Sequence, residues 1–115
     1  MVEEITVAEL SRAITNGDEG LMLVDIREKW EVDLVRLPAA GITYLPMSVL
    51  STGQLNAIPE EMKDPAKRIV LMCHHGVRSG SVAAWLTRNG WKNVYSLRGG
   101  IDAFAAEINP EIGFY

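Results

Sequence analysis

Cys73 opens the run Cys73-His74-His75-Gly76-Val77-Arg78-Ser79, and it is the only cysteine in the chain. The apolar run Arg68 to Met72 before it reads as a buried strand, and Ser79 to Asn89 after it reads as a helix. The thiol therefore falls where a strand ends, a short loop turns and a helix begins. Backbone amides at a helix start point outward with partial positive charge, and a sulfur held among them is stabilised as the thiolate. Gly76 permits a backbone conformation that other residues avoid, and Arg78 adds a permanent charge on a planar fork of donors. Curled into a bowl, the amides of His74 to Ser79 would converge on one point. Such a bowl suits a thiolate, an oxyanion, or a sulfur that carries a second, negatively charged sulfur.

The elements that must position this loop follow from the rest of the pattern. Thr6-Val7-Ala8-Glu9 matches a capping box, and Ala8, Leu10, Ala13 and Ile14 supply the apolar positions of a short helix ended by Asn16-Gly17. Leu21 to Ile26 reads as a second buried strand, with Asp25 at its end. Glu28 to Leu34 predicts a turn or two of helix, Ile42 to Leu45 a short strand, and Ser48 to Met62 one or two short helices broken by Gly53 and Pro59. Val82, Ala83, Leu86 and Trp85 form the buried stripe of the helix after Cys73, and Gly90 stands at its C-cap. Val94 to Leu97 is a strand. Gly99-Gly100 turns the chain, and Ile101, Phe104, Ala105 and Ile108 mark a last helix stopped by Pro110. Alternating short strands and helices predict an α/β fold, a central parallel sheet flanked by helices on both faces. Asp25 and Cys73 both end strands, so they share the rim where such sheets place their catalytic loops.

A chain of 115 residues, 48% hydrophobic and 23% charged, reads as a single soluble domain over 1–115 that builds a core without staples. One cysteine excludes an internal disulfide and suits a reducing, cytoplasmic setting. No secretory leader and no bilayer-spanning segment is expected. The net charge of −4 argues against direct binding of nucleic acid, whose phosphates call for basic patches. No metal or cofactor is expected: adjacent histidines seldom aim at one ion, and no CxxC or HxxxH spacing occurs.

His74 and His75 are candidate substrate contacts, through partial protonation near neutral pH, or else solvated loop residues. Asp25 should avoid the thiolate, whose formation it would oppose, and instead bind loop amides or an arginine. Arg27 and Glu28 are a candidate ion pair fixing the chain after the strand. Trp30, Trp85 and Trp91 are read as core and rim packing.

The run Cys73 to Ser79 resembles the active-site loop of the rhodanese family. Leu23-Val24-Asp25-Ile26-Arg27-Glu28 with Trp30-Glu31 resembles the family's first signature. Ala83-Ala84, Leu86, Gly90-Trp91, Asn93-Val94 and Leu97-Arg98-Gly99-Gly100-Ile101 resemble its C-terminal one. Where many relatives carry His-Ile-Pro-Gly-Ala, this chain has Arg36-Leu37-Pro38-Ala39-Ala40-Gly41. The resemblance implies a rhodanese-type thiosulfate sulfurtransferase. Cys73 would take a sulfane sulfur from a small donor such as thiosulfate. It would pass that sulfur to cyanide, an external thiol or an acceptor protein. His74, His75, Gly76, Val77, Arg78 and Ser79 would bind the substrate, with Asp25 and Arg27 in support. With no second cysteine, the sulfur must leave to an acceptor outside the chain. The alternatives are a sulfur-relay or regulatory binding module with little turnover of its own, or a phosphatase or arsenate reductase of the same fold. The six residues from Cys73 to Arg78 match the sulfurtransferase loop length, one residue shorter than the phosphatase loop.

Overall fold

The structure is a computed structural model and describes residues 2–115. Five strands, β1 (Glu4–Ile5), β2 (Leu21–Asp25), β3 (Thr43–Tyr44), β4 (Arg68–Met72) and β5 (Val94–Leu97), form one sheet in the order β1-β5-β4-β2-β3. Every neighbouring pair is parallel. The helices are α1 (Val7–Thr15), α2 (Lys29–Leu34), α3 (Met47–Gly53), α4 (Val77–Arg88) and α5 (Gly100–Glu107). This is the α/β architecture that the alternating pattern implies.

The strand residues sort by their period of two. Ile69, Leu71 and Cys73 join Met22 and Val24 in one core with Leu50 of α3 and Val82, Ala83 and Leu86 of α4. Val70 and Met72 face the other way, into a second core with Leu23, Leu97, Leu10 of α1 and Ile101 and Phe104 of α5. A continuous apolar strand is thus apolar because both of its faces are covered.

Several elements differ from the sequence expectation. β1 is an edge strand of two residues, too short to show any periodicity. The buried positions of α1 are Val7 and Leu10; Ala8 and Ile14 face solvent, so the stripe begins one residue earlier than read. The capping box itself is present, with Thr6 Oγ1 accepting from the Glu9 amide and Glu9 Oε1 accepting from the Thr6 amide. The segment after β3 forms α3 and two 3-10 turns, Gln54–Ala57 and Glu60–Lys63. Helix α4 starts at Val77, two residues before the expected Ser79, because Gly76 at φ 99° turns the chain straight into it. Helix α5 already includes Gly100, and Ile108 lies beyond its end and is exposed. No helix among the described residues is long and apolar enough to cross a membrane.

Candidate active site

Asp25 and Met72 are paired in register at the carboxyl ends of β2 and β4, so Asp25 and Cys73 emerge on the same rim. Cys73 is 1% exposed. The loop after it closes around its sulfur: the Gly76 amide donates to Sγ at 3.1 Å and the Ser79 amide at 3.4 Å. Ser79 Oγ also lies 3.4 Å from Sγ and shares a 2.7 Å hydrogen bond with Ser96 Oγ of β5. Ser79 and Ser96 are both buried, so this pair joins the floor of the loop to the neighbouring strand.

Helix α5 holds the loop from below. The Ile101 amide donates to the Cys73 carbonyl at 2.9 Å and the Asp102 amide to the His74 carbonyl at 3.1 Å. This contact demands glycine at position 100. Gly100 has φ 62°, and a Cβ there would meet the His74 carbonyl and stand 2.5 Å from the Cys73 carbonyl oxygen. Gly100→Ala is therefore expected to cost about 1–3 kcal/mol through overpacking and backbone strain, read from the urea midpoint.

Arg78 does not reach for the sulfur. Its two Nη atoms form a bidentate pair with Glu31 of α2, both at 2.7 Å. Glu31 also accepts from the Glu28 amide, as the N3 partner of a capping box, and from Tyr115 Oη at 2.9 Å. These bonds, that of Arg78 first, hold the Glu31 carboxyl at about 2, against its ordinary 4.5; the same pair raises Arg78. A depressed carboxyl contributes stability that is complete above its unfolded value and lost as pH falls through its folded one. Urea unfolding of the wild type is thus expected to weaken between pH 4.5 and 2 by more than that of Glu31→Gln.

Asp25 and Arg27 form a buried ion pair. Arg27 Nε and Nη2 donate to the Asp25 carboxylate, and Arg27 Nη1 donates to the Glu31 carbonyl and to Tyr115 Oη. Burial opposes the charge of Arg27, but its bonds to Asp25 and Tyr115 outweigh that and keep it raised. Asp25 thus pairs with an arginine, as expected from sequence. The expected pair between Arg27 and Glu28 does not form: Arg27 points inward to Asp25, while Glu28 accepts from the amide and hydroxyl of Ser48.

His74 is sandwiched between His75 and Tyr115, each ring 3.8 Å away. Burial first, and the neighbouring His75 second, push the His74 imidazole down toward its neutral form. His75 and Val77 face solvent, Val77 being 78% exposed. His74, His75 and Asp102 each bring a possible metal ligand within 4.8 Å of the others, a cluster that spacing did not foretell. The two imidazoles are stacked with planes 23° apart. His75 Nδ1 faces the Asp102 carboxylate at 3.8 Å. Of the tryptophans, Trp85 and Trp91 pack against the core, whereas Trp30 is 62% exposed on the rim.

The thiol loop, the Gly99-Gly100 turn beneath it and the five-strand order are accompanied by a match to the Rhodanese-like domain model over residues 6–107. The chain belongs to the rhodanese-like family. A sulfurtransferase of Allochromatium vinosum is 34% identical over 110 residues, covering 96% of this chain and 94% of that protein. A rhodanese-like/PpiC domain-containing protein 12 of Arabidopsis thaliana is 32% identical over 117 residues, covering 99% of this chain but 38% of its own length. This rhodanese-like chain therefore spans well under half of the plant relative. The crystal structure of a rhodanese-like domain protein from Staphylococcus aureus superposes with a TM-score of 0.73 at 23% identity, over 99% of both chains. Glu31 and Tyr115 are the site residues that local reading passed over. Glu31 lay in plain view beside Trp30 within the first signature, whereas nothing near Tyr115 in sequence signals its place.

Proposed function

We propose that this rhodanese-like chain is a single-domain sulfurtransferase that carries sulfane sulfur as a Cys73 persulfide. The observation that carries this reading is the convergence of the Gly76 and Ser79 amides on Sγ, within a loop of sulfurtransferase length. In the loading step, the Cys73 thiolate attacks the outer sulfur of thiosulfate. The new Cys73 S–S bond forms, the donor's S–S bond breaks, and its electron pair leaves on sulfite. In the second step a thiophilic acceptor, such as cyanide, a thiol or a protein cysteine, attacks the outer sulfur, and the electron pair returns to Sγ. The two amides are suited to hold the negative charge at each stage. Asp25 and Arg27 act as supports, fixing the end of β2 beside the loop. Arg78 acts through Glu31, anchoring the start of α4. A reducing compartment such as the cytoplasm suits a carrier with one free thiol.

Arg78 is already neutralised by Glu31, so a dianion such as thiosulfate gains little from its charge. This favours a second reading, a relay module loaded by a persulfide on a partner protein. The test is intact mass after exposure to thiosulfate and, separately, to a persulfide-bearing protein. Gain of one sulfur mass on Cys73 from either supports the carrier. Faster loading by the protein selects the relay, and no gain from any donor overturns both.

A further inference from the structure

Ser96 pairs in register with Leu71 of β4, so its side chain stands on the sheet face that carries Leu71 and Cys73. Met22, Val24, Ile69 and Val94 line the rest of that face. A hydroxyl that is 1% exposed among them costs free energy unless it is bonded. Its one hydrogen bond among the described residues is the 2.7 Å contact with Ser79 Oγ.

A hydroxyl carries one proton and two acceptor sites. Ser96 has no second partner for its proton, so in that contact Ser96 donates and Ser79 Oγ accepts. Ser79 Oγ also lies 3.4 Å from Sγ and 3.3 Å from the Gly76 carbonyl. With the thiol protonated, Ser79 Oγ accepts from Sγ and from Ser96, and its own proton goes to Gly76. All three of its positions are then filled. A negatively charged sulfur can only accept. The Ser79 proton can then turn from the Gly76 carbonyl to Sγ, about an oxygen that Ser96 keeps in place. No proton changes its atom in this turn. Without Ser96, the Ser79 hydroxyl would keep only the back-bond to the carbonyl three residues earlier that serines in a helix commonly make.

We propose that Ser96 is a positioning residue for Cys73. By donating to Ser79 Oγ it fixes and polarises a hydroxyl that turns to Sγ whenever the sulfur carries charge. The use of this turn in sulfur transfer, when the electron pair returns to Sγ, rests on the sulfur-carrier reading; the bond from Ser96 does not. The charged groups of the loop and of the elements bonded to it are Arg78 with Glu31 of α2, Asp25 with Arg27 at the end of β2, and Asp102 of α5 with His75, beside the His74 ring. None of them bonds the Ser96 hydroxyl, so replacing it leaves their pairings as they are.

The test titrates the ultraviolet absorbance of the thiolate with pH, as a difference against Cys73→Ser. With one cysteine in the chain, the signal reports Cys73 alone. In Ser96→Ala the thiolate-to-thiol ratio at a fixed pH on the rising limb is expected to fall about 4-fold, with the full amplitude reached at the plateau. Ser96→Thr, which keeps the hydroxyl, is expected to stay within about 2-fold of wild type. Because Ser96 acts through Ser79, adding Ser96→Ala to Ser79→Ala should lower the ratio by no more than about 1.5-fold further. A Ser96→Ala ratio equal to that of wild type overturns the proposal. So does a threonine variant that behaves as alanine, which assigns the effect to shape. So does a double variant that shows the full additional fall, which makes Ser96 independent of Ser79. Mass after exposure to thiosulfate and to a protein persulfide keeps the two ideas apart. A shifted ratio in a protein that never gains sulfur sinks the carrier and leaves the role of Ser96, and a sulfur gain with an unshifted ratio does the reverse.

Discussion

Cys73→Ser is expected to lower sulfur transfer to cyanide by about 10³-fold or more and to abolish the one-sulfur mass gain, while leaving the fold intact. A serine hydroxyl is not ionised near neutral pH, and its oxygen forms no persulfide-like carrier. The amides of Gly76 and Ser79 would donate to the serine oxygen as they do to Sγ, so the buried hydroxyl keeps partners and stability changes by about 1 kcal/mol or less. Ser79 Oγ cannot stand in for the sulfur, because it is already bonded to Ser96 and to the Gly76 carbonyl. The measurement is paired: cyanolysis rate with each donor, and urea unfolding. A serine variant that still gains sulfur, or that retains transfer within tenfold, removes Cys73 from the reaction. A variant that unfolds is checked by Cys73→Ala, which introduces no polar atom.

Asp25→Ala is expected to cost about 3–5 kcal/mol, because it strips the counter-charge from a guanidinium that is itself fully buried. Against a total stability of about 5–15 kcal/mol for a domain of this kind, that approaches global unfolding near body temperature. Asp25 takes the bonds from Nε and Nη2 of Arg27, and only the Nη1 contacts to the Glu31 carbonyl and Tyr115 would remain. The double variant Asp25→Leu with Arg27→Met removes both charges together and is expected to be milder than Asp25→Ala, since no unpaired ion is left behind. Equilibrium urea curves decide this. An alanine variant within 1 kcal/mol of wild type, or a double variant worse than the single, would show that the pair does not bear on stability as argued.

The longer strands β2, β4 and β5 were readable because each carries its own evidence, which the two-residue β1 does not. Residues 69–73 alternate between two cores, and this needs only the period of two and apolar side chains on both faces. The capping box at Thr6 was readable for a similar reason, since all its partners lie within four residues. The start of α4 was misplaced because the deciding quantity is the positive φ of Gly76, and a glycine in sequence does not say which way it turns. The Arg27–Glu28 pair failed because the chain bends at Arg27, whose amide and side chain both turn back to the Asp25 carboxylate, while Glu28 is engaged by Ser48.

The sequence alone determined where the candidate nucleophile stands: one thiol, at the end of a central strand, ahead of a glycine and a helix, with no second cysteine in the chain. These are local facts of type and spacing, and the backbone has few ways to honour them. The tertiary structure decided what surrounds the thiol. Arg78 meets Glu31 across 47 residues, and Tyr115 meets Glu31 across 84. A guanidinium beside a thiolate suggests an anion site until a carboxylate from α2 arrives to take both of its nitrogens. Partner choice among long, charged side chains depends on which elements packing brings to one rim, and no spacing within a loop encodes that.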